Sequence, residues 1–309
     1  MTAAPRVVLG LPAYDRPDVL GRTLESLASQ TFRDFALVIV DDAPTPAVRA
    51  IVESYEREFP HLIYEANTTR LGMVDNWRKV FERARQLHPA GEYFAWVSDH
   101  DLWHRRWLEV MVETLDRHPA VVLAYPRNVR MLPGDARLTA EGFHTTGVTN
   151  PGQRMQLAAR HLLAGDMIYG LVRADALARA GVFRRVVTPD RQVLLALSLF
   201  GQFAQVPEVL WYREQIRGFD LQRQRDVFSL GRSAWHMYLP SHLQHFATLV
   251  WDFGVRGRGR PAVGRVSGAR AAASQLWWSS VRQLTRPKSG WRLMLARFSP
   301  ARRVHSTDV

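Results

Sequence analysis

Two aspartates one residue apart, Asp99 and Asp101, follow the short apolar run Tyr93 to Val97, and their types and spacing could do chemistry. The run reads as a buried strand. At an extended chain end residues i and i+2 point the same way, so both carboxylates can aim at one point beyond the strand's carboxyl edge. That edge is where open α/β sheets bind ligands. Two hard oxygen ligands there suit Mg²⁺ or Mn²⁺, with phosphate oxygens completing the shell. Taken alone, the same residues read first as a polar turn capping the next helix.

Two further strand ends carry similar chemistry. Asp41-Asp42 closes the run Phe35 to Val40, and Pro12-Ala13-Tyr14-Asp15 closes the run Val7 to Leu11. A nucleotide needs an acceptor for a base N–H, contacts for ribose hydroxyls and a metal for its diphosphate. Three adjacent parallel strand ends can supply all of these.

The elements that must position these residues alternate along the first 125 residues. Helical spacing runs over Pro17 to Gln30, Thr45 to Phe59, Met73 to Leu87 and Trp107 to His118. Between them lie the apolar runs already named, Leu62 to Tyr64, and Val121 to Tyr125. Strands separated by helices of this length predict βαβ units and a largely parallel sheet. Residues 127–151, with several Gly, Pro and Thr, read as a long loop. Met155 to Leu163 and Ala174 to Ala180 then read as helices and Ile168 to Val172 as a strand. Val193 to Phe200 reads as a buried helix, and Phe203 to Val206 and Val209 to Tyr212 as two short strands around Pro207. Beyond residue 215 the periodicity is helical, with a Gly/Arg-rich break from Gly254 to Gly268.

Composition sets bounds. At 309 residues the chain can bury a full core, and it has no cysteine, which excludes disulfides, thiolate zinc sites and cysteine nucleophiles. The run Arg6 to Leu11 is too short for a signal peptide, and no segment offers ~18 uninterrupted apolar residues for a spanning helix. Residues 1–215 carry 25 basic and 25 acidic side chains, whereas residues 216–309 carry 16 basic and 4 acidic. The whole excess of +12 therefore sits in the last third, with five of the ten tryptophans: Trp235, Trp251, Trp277, Trp278 and Trp291. A basic, Trp-studded segment predicts an anionic surface, either lipid headgroups or nucleic acid. The other reading is a solvated helical appendage. No nucleic-acid motif is visible and the first two-thirds is electrically neutral, so no nucleic-acid partner is expected.

Residues 6–125 resemble the nucleotide-sugar domain of family 2 glycosyltransferases. The matching text is Leu11-Pro-Ala-Tyr-Asp-Arg-Pro, Leu24-Glu-Ser-Leu-Ala-Ser-Gln-Thr-Phe, Leu37-Val-Ile-Val-Asp-Asp, Asn67-Thr-Thr-Arg-Leu-Gly and Gly91-Glu-Tyr-Phe-Ala-Trp-Val-Ser-Asp-His-Asp. A fainter resemblance runs from about Gly165 to Arg213, the acceptor half. The resemblance implies the GT-A fold, an α/β architecture with a Rossmann-like, mostly parallel sheet flanked by helices. It implies a nucleotide-sugar-binding subdomain over 1–126 and an acceptor-binding subdomain over 127–215; the last third, which it does not cover, reads from charge and periodicity as a basic, Trp-rich helical extension over 216–309.

The resemblance also implies roles. Asp42 would bond the nucleobase, and Pro12, Ala13, Tyr14 and Asp15 would form the loop around base and ribose. Asp99 would be the ribose- or metal-adjacent acid and Asp101 the direct ligand of Mg²⁺ or Mn²⁺. Arg70, after Asn67-Thr-Thr, would reach phosphate or remain a surface arginine. Asp190 falls where the family places its catalytic base, although the usual Glu-Asp is here Pro189-Asp190. On sequence alone Asp190 reads equally as a helix cap, and Asp166 is the alternative base. Family members with a late metal-ligating His carry it after a Tyr-Arg stretch. Trp211-Tyr-Arg-Glu-Gln-Ile has none, which leaves His236, His242 and His245 as alternatives or as packing residues.

The implied reaction is a metal-dependent inverting transfer from a UDP-, GDP- or dTDP-sugar donor to a saccharide or lipid-linked acceptor. The expected location is the cytoplasm, with peripheral contact to the inner membrane face through residues 216–309. Trp277-Trp278, within Ala269 to Leu284, predicts either an interfacial helix or one packed on the catalytic domain. A nucleotidyltransferase would need a Gly-rich, Arg/Lys-bearing first loop, and Pro12-Ala-Tyr-Asp is not one.

Overall fold

Every residue of β1 (Val7–Ala13) and β2 (Phe35–Asp41) is buried. Strands that are apolar on both sides need a sheet covered by helices on both faces. The computed structural model of the chain has that arrangement and describes residues 4–59, 61–132, 135–138, 142–162, 165–214, 227, 235–256 and 264–285.

The helices α1 (Pro17–Ala28) and α2 (Pro46–Ser54), then β3 (Leu62–Ala66), α3 (Met73–Leu87) and β4 (Tyr93–Trp96), complete the first half. Next come β5 (Leu102–Trp103), α4 (Trp107–Arg117), β6 (Val121–Leu132), β7 (Asp135–Leu138) and α5 (Pro151–His161). A 3-10 turn (Asp166–Tyr169), β8 (Leu171–Arg173), α6 (Ala174–Ala180), α7 (Pro189–Leu197) and β9 (Gln202–Glu214) follow. The C-terminal elements are a 3-10 turn (Trp235–Tyr238), α8 (Ser241–Leu249), a π-helical segment (Val250–Val255) and α9 (Arg265–Thr285).

Local chemistry sets several boundaries. Thr45 caps α2 by accepting from Val48 N, Asn150 caps α5 by accepting from Gln153 N, and each is followed by a proline in the first turn.

One sheet runs in the order β3-β2-β1-β4-β8-β6-β9-β5, with β7 on β6. The strands β3, β2, β1 and β4 are mutually parallel. The register runs from Val7 opposite Phe35 to Ala13 opposite Asp41, and β4 ends with Trp96 opposite Gly10. The predicted strand ends therefore do share an edge. Alternation along β1 sends Leu9 and Leu11 into one core with Leu24, Val52 and Met111, and Val8 into another with Trp77, Val80 and Phe81.

The long loop expected over 127–151 is corrected. β6 continues through Asn128 and Val129 to Leu132 because β9 pairs with it along its length, and it forms a hairpin with β7. Long-range pairing overrides the turn-rich composition here. The two short strands expected around Pro207 are one strand, β9. Pro126 and Pro207 meet at the same irregularity, where the register slips between Pro126 and Arg127. Asp166 to Tyr169 form a 3-10 turn, so the strand expected from Ile168 is confined to β8. The tail helix α9 packs on α5 and α8, with the Arg160 guanidinium 4.8 Å from the Trp278 ring centroid. This favours the packed reading over the interfacial one. Residues 257–263 of the Gly254 to Gly268 break, and residues 215–226, lie outside the described residues. Among the described residues no helix is long and apolar enough to cross a membrane.

Gly10 lets α3 close on the sheet. A methyl at that position would lie 2.3 Å from Val80 Cγ1 and 2.8 Å from Phe94 Cζ. Both neighbours are held in the packed core, so Gly10→Ala is expected to destabilise by about 1–3 kcal/mol. The check is a lowered urea midpoint with an unchanged slope.

Candidate active site

The residues after β4 turn sharply. Val97 N donates to Gly10 O at 3.0 Å, and Asp101 N donates back to Ser98 Oγ at 3.1 Å. This turn separates the two acids. Asp101 is 1% exposed, and its carboxylate accepts from Glu214 N at 2.9 Å and from Trp211 Nε1 at 3.1 Å, both on β9. Asp99 accepts from Tyr14 N at 2.9 Å, which ties the end of β4 to the end of β1. Its other oxygen lies 2.7 Å from His100 Nδ1, and His100 Nε2 stands 3.9 Å from Asp101 Oδ1. Both carboxylates thus meet one imidazole. Burial works to lower the His100 pKa, but the hydrogen bond to Asp99 and the charges of Asp101 and Asp99 outweigh it, and the pKa is raised. Burial raises the Asp101 pKa against the opposing charge of His100.

Asp42 lies at the end of β2 and is also buried. Its Oδ1 accepts from Asn67 Nδ2 at 2.8 Å and Leu71 N at 2.7 Å, and its Oδ2 accepts from Gly72 N at 2.7 Å. A carboxylate offers about four lone-pair sites, so about one remains for a ligand. Asn67 is held in turn by Asn76 and by Lys79 Nζ at 2.7 Å. Asp41 accepts from Ala43 N and from the Tyr64 hydroxyl, at 3.0 and 2.8 Å. Pro12 and Ala13 are buried in β1, and Ala13 O accepts from Asp42 N at 3.0 Å. Tyr14 is exposed with the Arg70 guanidinium over its ring at 4.6 Å, and Asp15 follows with a left-handed φ of 51°. The rim formed by β1, β2 and β4 therefore brings together Tyr14, Asp42, Arg70 and Asp99.

Asp190 stands in the first turn of α7, after Pro189 and after Thr188, whose φ is 52°. Its carboxyl sits against Gly165, where a methyl would lie 1.5 Å from Oδ2. Burial raises its pKa and the charge of Asp166 adds to that, while the Arg191 N–H and the Arg213 charge oppose it. Asp166 itself is held by Arg130 Nη2 at 2.9 Å and by Arg213, so it is occupied as an ion-pair partner. The floor between the two halves is aromatic. The Trp211 ring, bonded to Asp101, lies 5.0 Å from Tyr169, and Tyr169 lies 5.6 Å from Trp77. Desolvation of partly buried Tyr169 raises its pKa, and Asp101 and Asp190 contribute to the rise.

Sequence reasoning passed over Trp211, Glu214, Tyr169 and Arg213. The quoted stretch Trp211-Tyr-Arg-Glu held three of them, but only the pairing of β9 with β5 and β6 shows what they face. The late histidines lie elsewhere. His245 Nε2 donates to Val187 O at 2.9 Å, and burial lowers its pKa to about 4. His236 Nε2 donates to Arg185 O at 3.1 Å.

Among the described residues no group of three or more His, Asp or Glu is arranged to hold a metal ion. The available set is Asp99 and Asp101 beside His100. Mg²⁺ is often held by one or two carboxylates, with substrate phosphates and water filling its shell, so the set fits on those terms.

Because Asp42 accepts three N–H groups, Asp42→Asn turns an amide N–H₂ toward a donor and loses at least one bond. The expected loss of stability is about 1–3 kcal/mol, read by denaturant unfolding without any ligand.

Comparisons with known proteins agree with this geometry. The putative teichuronic acid biosynthesis glycosyltransferase TuaG of Bacillus subtilis is 30% identical over 111 residues, 35% of this chain and 41% of that protein. The chain spans less than half the length of the curated relatives it matches. S. aureus TarS 1–349, solved in complex with UDP-GlcNAc, superposes with a TM-score of 0.62 at 16% identity, covering 93% of this chain and 75% of that one. The mannosyltransferase PcManGT from Pyrobaculum calidifontis, in complex with GDP-Man and Mn²⁺, gives 0.53 at 18% identity, covering 96% and 80%. At such identities the likeness is one of fold, and the fold is the helix-flanked α/β sheet described above. Residues 9–170, more than half of the chain, match Glycosyl transferase family 2, and the chain belongs to that family.

Proposed function

We propose that the protein is an inverting, metal-dependent glycosyltransferase that moves a sugar from a nucleoside-diphosphate donor to a saccharide or lipid-linked acceptor. The observation that carries this reading is the pairing of two acidic sites across one aromatic floor. Asp99 and Asp101 stand at one end of the Trp211–Tyr169 pair, and a carboxyl of raised pKa, Asp190, stands at the other. Fold neighbours with UDP-GlcNAc, or with GDP-Man and Mn²⁺, support a nucleotide-sugar donor. UDP, GDP and dTDP all remain within the proposal.

On this reading the base lies in the rim between Tyr14 and Asp42, with the last acceptor site of Asp42 open to a base N–H. Arg70, already poised over Tyr14, would reach the donor's phosphates or ribose. Asp99 and Asp101 would hold Mg²⁺ or Mn²⁺, which supplies positive charge against the diphosphate leaving group.

The acceptor hydroxyl gives its proton to a carboxylate oxygen of Asp190 as its own oxygen bonds to the anomeric carbon. The bond from that carbon to the diphosphate oxygen breaks on the opposite side. A carboxylate whose conjugate acid is weakened by burial is the stronger base. Arg130 and Arg213 hold Asp166 beside it, so the neighbouring negative charge stays in place.

Donor binding is tested by a thermal-shift panel of nucleoside diphosphates with and without Mn²⁺. A ligand at 100 times its Kd should stabilise by about 2.7 kcal/mol, and one base should stand out. A flat panel would remove the donor assignment, and NMR of the product would show retention if the single displacement is wrong.

Asp190→Asn should lower kcat about 10²- to 10⁴-fold. It has an opposite effect on stability. The folded state keeps Asp190 protonated above its unfolded pKa of about 3.9, so stability falls as pH rises from there through the folded pKa. The Asn variant should therefore exceed the parent in thermal midpoint at pH 7. That gap should close as pH falls below the unfolded value, and equal midpoints at both pH values would count against the raised pKa.

A further inference from the structure

Seven of the ten large hydrophobic side chains exposed among the described residues fall in one stretch, from Trp235 to Val255. Trp235 is 73% exposed, Tyr238 66%, Val255 57% and Trp251 51%. Single exposed apolar residues are ordinary, but a contiguous set marks a place where something docks. The 3-10 turn, α8 and the π-helical segment that carry them contact one another in sequence, and Trp235, Leu239, Leu243 and Trp251 line one cleft between them.

Beneath it lies a cleft of about 450 Å³, lined by Trp235, Leu243 and Trp251 and by Arg184, Arg185 and Arg256. Asp252, the acidic side chain of the lining, is already held by both forks of Arg184, at 2.8 to 3.2 Å. Arg256 lies over the Trp251 ring at 5.4 Å. The lining thus carries three arginines against one aspartate, with Arg185 also paired to Asp75.

We infer that the Trp235–Val255 face docks on an anionic lipid bilayer. Tryptophan and tyrosine settle at the headgroup level, where one end of the ring is apolar and the other wet. Arginines beside them meet the lipid phosphates. A saccharide subsite would confine the aromatic surface to the cleft. Tyr238, Val250 and Val255 are exposed outside the cleft lining, so the face extends beyond what a sugar would cover. The Trp277-Trp278 helix, for which the sequence left an interfacial and a packed reading open, packs on α5 and α8, with Trp277 exposed.

This deepens the proposed function by placing the acceptor at a membrane surface, and it rests on that reading only for the acceptor. The docking elements grip the chain just before Asp190. His236 bonds Arg185 O, while Gln244 Oε1 accepts from Val187 N at 2.9 Å and His245 bonds Val187 O. Asp190 follows Arg185 by five residues, at most ~18 Å even if fully extended. A lipid-linked hydroxyl at the bilayer would thus be delivered close to the proposed base.

The test is sedimentation of the full chain with phosphatidylcholine vesicles and with vesicles containing phosphatidylglycerol. The parent should partition onto the anionic vesicles, less so as salt rises. A Trp235→Ser, Trp251→Ser variant should lose at least about ten-fold in partitioning, whereas a Trp235→Phe, Trp251→Phe variant should keep most of it. Both variants should retain the parent's thermal midpoint and its nucleoside-diphosphate shift, which shows that they fold. The inference is overturned if the parent binds neither vesicle or if the Ser variant binds as the parent does. It is also overturned if the Ser pair only converts a dimer to a monomer in light scattering, or only lowers turnover of a soluble saccharide. Failure of nucleotide binding with intact vesicle binding would instead strike at the enzyme reading.

Discussion

The structure depends on a buried carboxylate. Asp101 leaves the nucleotide-side sheet and accepts from Trp211 Nε1 and Glu214 N on β9, a strand more than a hundred residues later. Burying a carboxylate is unfavourable unless its lone pairs are filled, so these two donors and the turn at Ser98 stand or fall together. Through Trp211 the contact reaches Tyr169, and through the 3-10 turn it reaches Gly165 and the Asp190 carboxyl packed there. One side chain thereby sets the spacing between the donor rim and the proposed base.

The same principle governs the other rim. Asp42 could bind a base only if its orientation were fixed first, and three N–H groups from residues 67–72 fix it. A flexible loop would have to lose conformational freedom when ligand arrives, whereas this one is already ordered by an acid of the sheet. Tyr14 is arranged similarly: its backbone N–H bonds Asp99 and its ring is left exposed under Arg70. Polar groups that the sheet edge must satisfy anyway thus hold the binding surface in shape.

The parallel half of the sheet was legible in the sequence because each of its strands is a local apolar run separated from the next by an amphipathic helix. Met73 to Leu87 was bounded to the residue, and the ends of β1, β2 and β4 fell on one edge as their spacing required. The second half was less legible. The extension of β6 beyond Pro126 depends on β9, and two prolines that look like breaks on paper both fall at one register shift. The partners of Asp101 were hidden for the same reason: Trp211 reads as core until the register of β9 is known. The Asp-x-Asp reading assumed an extended chain end, and it could not show the turn that separates the two acids or His100 beside both carboxylates, because the reversal at Ser98 is a tertiary feature.

The C-terminal elements contribute to the proposed catalytic geometry. Thr188 is held in a left-handed conformation that a β-branched residue resists, a strain of about 1–3 kcal/mol that persists only where the surroundings over-determine it. Those surroundings are Gln244 and His245 of α8, which take both the N–H and the carbonyl of Val187. His245 does so by donating from Nε2, while burial lowers its pKa. A strained turn fixes the first helical turn after it, so α8 in effect aims Asp190. The exposed aromatic face on α8 and its flanking segments is therefore attached to the element that orients the proposed base. On the proposed reading, a surface captured by that face and an acceptor presented to that base would share one rigid support.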